Sequence, residues 1–586
     1  MNSNQMKGQD QSKQPGQLEQ MRLLTAVRLA QAVKRRYEGA RLGIGAVTDN
    51  GFYYDLDVPA SLSEQDLAGV EEEMKQLASS GSSLSCRKVA HEEAVRLLEA
   101  AGELLKAEWV QELDREQPLT LVEGDGFIDV LPLTLDEDAV SHELPACKLL
   151  SVSGAYWLGD SSRPVLQRIY GAAFSEAAEL EDYLAAYEEA QKRDHRKLGK
   201  QLQLFMFADE APGMPFYLPK GTVIRNELEA LSREFLQKYR YEEVRTPIMM
   251  DRQMWEQSGH WDHYHENMYF CELDHHQFAV KPMNCPGHML MFKNRLRSYK
   301  ELPIRLAEFG QVHRHEFSGA LNGLLRVRTF CQDDAHIFVR PDQIGQEIGG
   351  AIELIKEMYG IFGFEYSLEL STRPESSMGS DEQWEAAEAA LSDVLGQSGL
   401  PYRLNPGDGA FYGPKIDFHI KDALNRSHQC ATIQLDFQMP EKFDLSYVDE
   451  HNERQTPIVI HRAVYGSIDR FLGILIEHYA GAFPAWLAPV QVAVITVADR
   501  HAAYGAEVCR LLKDAGIRVE LDERQEKLGY KIREAQLQKT PYIAVIGDKE
   551  LVDGTVTVRA RGSEQQQLLE LGTFLSQLQG ILAERK

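Results

Sequence analysis

The sequence predicts a protein of several α+β domains, and three observations support this. The chain has 586 residues, and at roughly 150 residues per domain that length corresponds to about three or four domains. Its N-terminal part mixes strand and helix patterns, and its C-terminal part alternates strands with helices, which is typical of an α/β domain. Hydrophobic residues make up 43% and charged residues 26% of the chain, which excludes disorder for most of it.

Residues 1–20 form a polar stretch rich in Gln, Ser and Gly, which we expect to be a disordered tail. The stretch lacks the apolar segment of a signal peptide. No part of the chain approaches the roughly 18 consecutive apolar residues that a membrane helix needs. The 7 cysteines lack the spacing of a disulfide framework, which is typical of a reducing compartment. We therefore expect a cytoplasmic protein without membrane attachment.

Residues 21–175 combine strand and helix signals, and we interpret them as one α+β domain. A turn signal at residues 49–51 precedes an aromatic strand at residues 52–54. Ser63 and Asp66 have a spacing that resembles a capping box. The apolar residues that follow recur with a helical period: Leu67, Val70, Met74 and Leu77.

Residues 176–203 predict a helical linker with a basic end formed by Lys192, Arg193, Arg196, Lys197 and Lys200. Such a run is either a solvated helix face or a segment that contacts phosphates, and the pattern leaves both open. The formal net charge of −26 argues, taken alone, against a nucleic-acid partner, since phosphate contacts need Lys and Arg. Because net charge is an average over domains, narrow basic paths on an acidic body still permit specific docking.

The middle segment, residues 204–486, has neither a Walker loop nor a dinucleotide glycine fingerprint. Its first signal is a helix over residues 227–239, followed at residues 242–247 by a strand whose terminal proline indicates a sheet edge. Its second signal is a pair of alternating strands, residues 309–316 and 325–336. We expect these strands to form a hairpin that carries four charged side chains: Arg314, Glu316, Arg326 and Arg328. Its third signal is a helix start at residues 466–471 that carries Arg470.

The C-terminal segment, residues 487–586, predicts strands at residues 490–495, 519–521 and 542–546. Helices are predicted between them at residues 502–514 and 530–537. This alternation indicates an α/β domain with a parallel or mixed sheet. Five basic residues there could contact phosphates or lie on a solvated surface: Arg524, Lys527, Lys531, Arg533 and Arg561.

The three signals of the middle segment match, in order, the three signature motifs of class II aminoacyl-tRNA synthetases. Residues 281–288, 329–336, 409–415 and 434–437 sharpen the match, so that the chain from about Gly43 onward resembles the bacterial threonyl-tRNA synthetases. The resemblance implies a homodimer with an antiparallel catalytic sheet flanked by helices, an N-terminal editing domain and a C-terminal α/β anticodon-binding domain. It also implies that ATP activates L-threonine to threonyl-adenylate, which is then transferred to the 3′ end of threonine tRNA.

The resemblance assigns roles to the charged motif residues. Arg314 would hold the α-phosphate of ATP and Glu316 the adenine amino group, while Arg326 and Arg470 would contact the nucleotide and its phosphates. Mg²⁺ would accompany the ATP. This is in-line phosphoryl transfer, which needs positioning and positive charge more than covalent catalysis.

The resemblance also implies one zinc ion, with Cys285, His336 and His461 as ligands, although their spacing would not reveal it. Three ligands leave an open position, which the amino and hydroxyl groups of threonine would complete, so that valine is rejected. Asp334 would accept the hydroxyl proton. The remaining assigned residues line the amino-acid pocket (Gln332, Tyr412, Gln429 and Gln434) or contact the anticodon (Glu550, Arg559 and Gln525, the last standing where Asn is usual).

The N-terminal domain departs from the family at its hydrolytic site. Serine lacks only a methyl group of threonine and can be rejected by only about 1–3 kcal/mol of lost contact, so the family hydrolyses seryl-tRNA with a His-x-x-x-His and a Cys-x-x-x-His pair. Here the four positions are apolar: Leu23, Val27, Leu131 and Leu135. The region has two histidines, His91 and His142, outside such spacings. We expect no editing in cis, and no counterpart of the family's small N-terminal ubiquitin-like domain.

Further departures cluster near the active centre at Ser258, Asn267, His315, Phe317, Asn322, Thr329, Met439 and Asp469. They indicate a divergent paralogue, and two hypotheses stay open: a synthetase that tolerates a natural inhibitor, or one that supplies threonyl groups to a biosynthetic pathway. The alternative from another class is a non-catalytic synthetase-like protein that binds tRNA or regulates. Retention of Arg314, Glu316, Arg470 and the zinc ligands favours the enzyme.

Overall fold

The computed structural model describes residues 16–80, 84–135, 144–160 and 162–585. The chain divides into two compact units, residues 1–189 and 190–586. The α+β multidomain architecture predicted from the sequence is confirmed. Within the described residues, no helix combines the length and the apolar character that a membrane crossing requires.

The first unit contains two antiparallel sheets with helices packed on them. Its helices are α1 (Gln17–Arg36), α2 (Glu64–Ser79), α3 (His91–Ala100), α4 (Leu104–Glu112) and α5 (Ala177–Arg193), the last of which ends in the second unit. Its strands are β1 (Arg41–Thr48), β2 (Gly51–Asp57), β3 (Ser85–Val89), β4 (Leu119–Gly124), β5 (Phe127–Leu131), β6 (Ala146–Tyr156) and β7 (Val165–Phe174). They form sheets of order β1-β2-β7-β6 and β3-β4-β5.

Two predictions for this unit, the capping box at Ser63 and the disordered tail, can be compared with the structure. The capping box is confirmed, because Asp66 accepts hydrogen bonds from the amide and the hydroxyl of Ser63 at 2.8 and 2.7 Å. The disordered tail is wrong for residues 17–20, because α1 begins at Gln17 and continues directly into an apolar, buried face. Residues 1–15 lie outside the described residues.

The second unit opens with the end of the linker and the elements of the middle segment. Its helices there are α6 (His195–Gln201), α7 (Pro219–Lys238), α8 (Arg252–Gln257), α9 (His260–Tyr264), α10 (Cys285–Lys293), α11 (Ile344–Phe362), α12 (Asp381–Ser398), α13 (Gln438–Lys442) and α14 (Ile468–His478). Its longer strands are β15 (Ile304–His313), β16 (Thr329–Val339), β17 (Tyr366–Ser371), β18 (Tyr402–Asn405), β19 (Lys415–Lys421), β20 (Ser427–Asp436) and β23 (Ile458–Ser467). The shorter strands are β8 (Phe205–Met206), β9 (Phe216–Tyr217), β10 (Glu242–Glu243), β11 (Met249–Asp251), β12 (Tyr269–Leu273), β13 (His276–Val280), β14 (Arg297–Ser298), β21 (Tyr447–Val448) and β22 (Arg454–Gln455).

An eight-stranded sheet of order β10-β15-β16-β23-β20-β19-β17-β18 forms the floor of this segment. Neighbouring strands are antiparallel except at the two edges, where β10–β15 and β17–β18 run parallel. The predicted antiparallel sheet flanked by helices is therefore confirmed, with β10 at the edge. The apolar faces of α7, α11, α12 and α14 pack on it in one large core.

The predicted hairpin of charged residues is wrong in one respect. β15 ends at His313 and β16 begins at Thr329, so Arg314, Glu316, Arg326 and Arg328 lie in the loop that joins the strands. The backbone there turns on itself, with the amide of Leu325 donating to the carbonyl of Asn322 at 2.9 Å, instead of extending the ladder. The charged side chains are thus held by loop contacts and not by strand alternation.

The C-terminal segment has a five-stranded mixed sheet of order β25-β24-β26-β27-β28. Its strands are β24 (Val492–Thr496), β25 (Val519–Asp522), β26 (Tyr542–Ile546), β27 (Thr555–Ala560) and β28 (Gln566–Glu570). Its helices are α15 (Ala502–Asp514), α16 (Leu528–Leu537), α17 (Asp548–Asp553) and α18 (Leu571–Ala583). β24, β25 and β26 are parallel while β27 and β28 are antiparallel, so the predicted mixed α/β domain is confirmed.

Candidate active site

Three buried side chains meet at the centre of the large sheet. Cys285 begins α10, while His336 of β16 and His461 of β23 are direct partners across two neighbouring strands. One donor atom from each lies within 4.8 Å of the others. Cys285, His336 and His461 are 3%, 0% and 6% exposed, so the cluster is enclosed by protein.

A chain of hydrogen bonds fixes the orientation of His336. His288 lies between two partners, with its Nε2 3.2 Å from the Oε2 of Glu308 and its Nδ1 2.8 Å from the Nδ1 of His336. The Glu308 carboxylate can only accept, so His288 Nε2 carries a proton and, in the neutral ring, Nδ1 accepts from His336. That arrangement leaves the Nε2 of His336 with its lone pair, buried and without a hydrogen-bond partner.

Glu308 is held ionised by its surroundings. Lys281 and the amide of Thr246 both donate to its Oε1 at 2.9 Å. Burial opposes ionisation, but the hydrogen bonds from His288 and Thr246 and the charge of Lys281 lower the pKa of Glu308 to about 2. The acceptor end of the chain to His336 is therefore a carboxylate at neutral pH.

His461 is oriented by its own carboxylate. Its Nε2 lies 2.9 Å from the Oδ2 of Asp436, and Asp436 is fully buried and fixed by the amides of Gln438 and Met439. Donation of the Nε2 proton to Asp436 leaves Nδ1 with its lone pair. Donation of the other ring N–H to a carboxylate is a usual arrangement around metal-ligating imidazoles, and at His336 the carboxylate of Glu308 is reached through His288.

The donor set fits a zinc ion. One sulfur and two imidazole nitrogens are donors that zinc prefers, and three protein ligands leave a position for substrate. Burial lowers the pKa of His336 well below its ordinary value, which keeps the ring neutral as a ligand must be. Burial and the nearby carboxylates Asp334 and Asp436 raise the pKa of Cys285, so its thiolate needs a cation beside it.

The residues assigned to the amino-acid pocket surround this cluster. Asp334 lies two positions before His336 on β16, and its Oδ2 accepts a hydrogen bond from the side-chain Nδ2 of Asn284 at 3.1 Å. The Tyr412 hydroxyl donates to Gln434 at 2.6 Å, and its ring lies 5.0 Å from that of His461. Burial raises the pKa of Asp334, against the opposing effect of the nearby histidines, which makes this carboxylate a better proton acceptor.

Two further pocket candidates lie farther along the same strands. Gln332 is two residues before Asp334 on β16 and pairs with Ser467 of β23. Gln429 is near the start of β20, where a register shift lets its amide donate to Asp417 at 2.6 Å. Thr432 bonds the same carboxylate oxygen at 3.0 Å, so Gln429 is grouped with the face of β20 that carries Gln434.

The charged loop between β15 and β16 presents an ion pair. Arg326 is exposed and donates to the Oε2 of Glu316 at 3.0 Å. Arg314 is half-buried, donates to the carbonyl of Pro282 at 3.2 Å and lies 5.0 Å from the centre of the Phe330 ring. Arg470 is half-buried in the first turn of α14. The arginines therefore belong to two neighbouring elements, the loop and α14.

The residues assigned to the anticodon lie in the C-terminal segment. Glu550 of α17 accepts hydrogen bonds from the amide of Gly547 and from the hydroxyl of Thr557. Arg559 lies two residues after Thr557 on β27 and donates to the carbonyl of Ser563. Gln525 follows the carboxyl end of β25 and donates to Asp499 at 2.9 Å. Gln525 and Glu550 thus both follow carboxyl ends of parallel strands, a common place for ligands in open α/β sheets.

Three of the basic residues named as possible phosphate contacts are bonded to other protein groups, one of them in the interior and two at the surface. Lys531 is 2% exposed and donates to the carbonyl of Thr496 at 2.9 Å, so neither a phosphate contact nor a solvated surface describes it. Arg561 donates to the carbonyl of Ala482 at 2.9 Å. Arg524 pairs with Asp522 and Glu534. A buried ammonium must find acceptors, and that requirement is invisible in a charge pattern.

The four apolar positions of the N-terminal unit fill a core. Leu23 and Val27 of α1, Leu131 at the end of β5 and Leu135 belong to one buried cluster, at 5%, 0%, 1% and 3% exposure. Among the described residues of this unit, His91 contacts the carbonyl of Gln117. His142 lies outside the described residues. None of these four side chains carries a group that could activate water.

Sequence reasoning missed the residues that support the cluster. The motif ranges 281–288 and 434–437 contain Asn284, His288 and Asp436 but assign them no role, and Glu308 lies outside every motif range. Asn284, Glu308 and Asp436 are separated from the residues they hold by between 20 and 50 positions. His260 was also missed: it is fully buried, and burial together with the charge of Arg314 lowers its pKa to about 3. Its only sequence signal was its place beside Ser258.

Comparisons with known proteins agree with this geometry. Residues 269–479 match the family described as tRNA synthetase class II core domain (G, H, P, S and T), and residues 491–581 match the family described as anticodon binding domain. Threonine–tRNA ligase 2 of Bacillus subtilis (strain 168) is 59% identical over 566 residues, covering 96% of this chain and 88% of the relative. Threonine–tRNA ligase of Carboxydothermus hydrogenoformans is 52% identical over 558 residues, covering 95% and 88%.

Two solved structures are similar in backbone. The RNA binding domain of threonyl-tRNA synthetase from Cryptosporidium parvum Iowa II is 44% identical with a TM-score of 0.65, over 66% of this chain and 98% of that one. Prolyl-tRNA synthetase of Giardia lamblia, solved with prolyl-adenylate, has a TM-score of 0.54 at 17% identity, over 68% and 81%. At that identity the second likeness shows the fold alone.

Proposed function

The chain belongs to the threonine–tRNA ligase family of class II synthetases, and on that premise we propose which residues perform each part of the reaction. The protein is an enzyme that activates L-threonine with ATP and attaches it to tRNA. The observation that carries the proposal is the buried group of Cys285, His336 and His461, whose donor atoms lie within 4.8 Å. His336 contributes a buried nitrogen without a partner.

These three residues would hold the zinc ion. When bound, zinc would supply a Lewis-acid site for the amino and hydroxyl groups of threonine, a contact that valine lacks. Asp334, whose pKa is raised by burial, would take the hydroxyl proton of the substrate. Tyr412 and Gln434 form one wall through their 2.6 Å hydrogen bond, and Gln332 and Gln429 would complete the pocket.

The arginines and Glu316 would bind ATP beside this pocket. Arg314 would hold the α-phosphate, Glu316 the adenine amino group, and Arg326 and Arg470 the nucleotide and its remaining phosphates, with Mg²⁺ accompanying the ATP. Arg326 is paired with Glu316, so each of the two side chains has a charged partner within the loop. Fixed positive charge of this kind stabilises phosphoryl transfer because it costs little reorganisation during the reaction.

The N-terminal unit would not edit seryl-tRNA. Hydrolysis of an ester needs a group that activates water, and the four positions in question are leucines and a valine packed in one core. Discrimination against serine then rests on the synthetic site alone, where one methyl group is worth about 1–3 kcal/mol. The protein would therefore attach serine at a measurable rate when serine is abundant.

The remaining partners follow from the same family. We propose that the enzyme works as a homodimer in the cytoplasm, where tRNA and ATP are present. Glu550, Arg559 and Gln525 would contact the anticodon. All three side chains are bonded within the protein, so the anticodon would have to compete with those contacts, and Gln525 also stands where the family usually has Asn.

The paralogue hypotheses rest on the pocket wall. Met439 is fully buried and its amide is bonded to Asp436, the partner of His461. Ser258 is fully buried and its hydroxyl lies 2.7 Å from the Nδ1 of His260. Substitutions at such positions change the shape of the pocket, which supports inhibitor tolerance as much as a pathway-specific role. Inhibition by compounds that bind the threonine site would separate them: sensitivity equal to that of an ordinary relative would exclude tolerance.

The test of the function is ATP–pyrophosphate exchange with the purified protein and threonine, serine or valine, followed by charging of threonine tRNA. We expect exchange with threonine, weaker exchange with serine and none with valine. A Cys285→Ala variant should lose threonine-dependent exchange, while Cys509→Ala, a buried cysteine of the C-terminal core, serves as the matched control. Absence of exchange with threonine in the wild-type protein would instead support the non-catalytic alternative.

A further inference from the structure

His195 is a buried histidine with a partner at each ring nitrogen. It begins α6 and is 1% exposed. Its Nδ1 lies 2.6 Å from the Oε1 of Glu477, near the end of α14, and its Nε2 accepts a hydrogen bond from the amide of Leu324 at 3.0 Å. Leu324 belongs to the loop between β15 and β16. One ring thus joins α6, α14 and that loop.

The contacts fix which nitrogen carries the proton. Burial opposes ionisation of Glu477, but hydrogen bonds from His195 and the charge of Arg426 hold its pKa below the ordinary value. A carboxylate accepts, so the Nδ1 of His195 donates to it and Nε2 keeps a lone pair for the amide of Leu324. The neutral His195 ring therefore accepts a hydrogen bond from the buried backbone N–H of Leu324, a residue whose side chain is apolar.

The same residues do not form a second metal site. Asp194, His195 and Glu477 have donor atoms within 4.8 Å of one another. However, Asp194 accepts from the amide and the guanidinium of Arg196, and both nitrogens of His195 are used. The group is a hydrogen-bonded junction.

Close packing holds the loop against this junction from two sides. Gly323 has φ +50°, and a Cβ there would lie 2.2 Å from the Nε2 of His195. A Cβ at Gly473 of α14 would lie 3.1 and 3.2 Å from side-chain atoms of Leu325 and Leu324. Leu324 is fully buried. The backbone at residues 323–325 is thus seated between α6 and α14 with no space for adjustment.

The seated segment leads directly to Arg326. The carbonyl of Asn322 accepts from the amide of Leu325 at 2.9 Å, and the amide of Asn322 donates to the carbonyl of Arg326 at 3.1 Å. Residues 322–326 therefore form one local unit, and the side chain of Arg326 reaches Glu316. We infer that His195 is a positioning residue for adenylate formation, which sets the loop that carries Arg326 and Glu316. The inference rests on the ATP-binding role proposed for those two residues.

The test uses ATP–pyrophosphate exchange by the full-length protein with three substitutions. His195→Asn keeps a donor where Nδ1 stood but removes the acceptor for Leu324, whereas His195→Gln keeps an acceptor near the position of Nε2. Gln201→Ala, at an exposed residue of the same helix, is the control. We expect His195→Asn to raise the KM for ATP by about 5- to 30-fold, the factor that corresponds to about 1–2 kcal/mol. The KM for threonine should stay within about twofold, and His195→Gln should restore most of the ATP affinity.

The outcomes separate three cases. An unchanged KM for ATP in His195→Asn would overturn the positioning role. So would equal increases in the KM values for ATP and threonine in a variant that has also become less stable to urea. If Arg326→Ala itself leaves the KM for ATP unchanged, the proposed ATP role of the loop fails instead. Should His195→Asn not fold, Gly323→Ala displaces the same loop, because its Cβ would lie 2.2 Å from the Nε2 of His195. It should raise the KM for ATP selectively, and a normal value would refute the inference.

Discussion

Zinc affinity should depend on His288, which is not one of the three proposed ligands but is hydrogen-bonded to one of them, His336. In His288→Leu, Glu308 keeps Lys281 and Thr246 as donors, but the Nδ1 of His336 loses its acceptor at 2.8 Å. Replacement of a residue that orients a metal-ligating histidine lowers metal affinity about 10- to 100-fold. The lower end corresponds to about 1.4 kcal/mol, which is within the range for one buried hydrogen bond left unmade.

The measurement is competition for zinc between the protein and a chromophoric chelator. Met289→Leu is the control, because Met289 is the next residue on α10 and is fully buried in an apolar cluster. We expect the dissociation constant to rise in His288→Leu and to stay unchanged in Met289→Leu, with urea unfolding of the metal-free proteins showing that both fold. Equal affinities in the two variants would refute the hydrogen-bond chain, whereas a wild-type protein without zinc would refute the site itself.

Two other predictions concern stability. Because the pKa of Glu308 is lowered to about 2, the stabilisation that its carboxylate gives the folded state is complete above its unfolded pKa and is lost as pH falls toward 2. The free energy of unfolding, measured with urea, should therefore fall more steeply below about pH 4.5 in the wild type than in Glu308→Gln, by up to about 1.4 kcal/mol per pH unit. Parallel slopes in the two proteins would contradict this. Asp469 is 1% exposed and accepts hydrogen bonds from the Tyr217 hydroxyl and the amide of Cys331 at 2.5 and 2.7 Å. Asp469→Asn should therefore lower the free energy of unfolding, measured with urea, by about 2–5 kcal/mol. A change below about 0.5 kcal/mol, the usual size at a surface site, would show that the charge is not needed.

The sequence predicted most of the fold because its signals are local. The helix at residues 502–514 and the strand at residues 542–546 occur with those bounds, since apolar periodicity and flanking turns specify them directly. The three-residue zinc set was predicted only through resemblance. Its members are 51 and 125 positions apart along the chain; the register of β16 and β23 pairs His336 with His461, and Cys285 comes from α10.

The supporting residues could not be predicted, since their role depends on distant partners. His195 contacts Leu324 and Glu477, which follow it by 129 and 282 positions, and a lone histidine in a basic run gives no sign of either. The charged loop shows the opposite error. Strand alternation was extended through residues 314–316 and 325–328, where local turns replace the ladder. Sequence patterns report burial and turns well, but they do not report which buried polar groups satisfy one another.

Our main proposal is that this threonine–tRNA ligase has no hydrolytic site in its N-terminal unit. Its most direct test is the rate at which the protein deacylates threonine tRNA that has been charged with serine beforehand. With Leu23, Val27, Leu131 and Leu135 packed in one core, we predict that seryl-tRNA disappears no faster with the enzyme than in buffer, while an editing-competent relative clears it. Rapid deacylation by this protein alone would contradict the account.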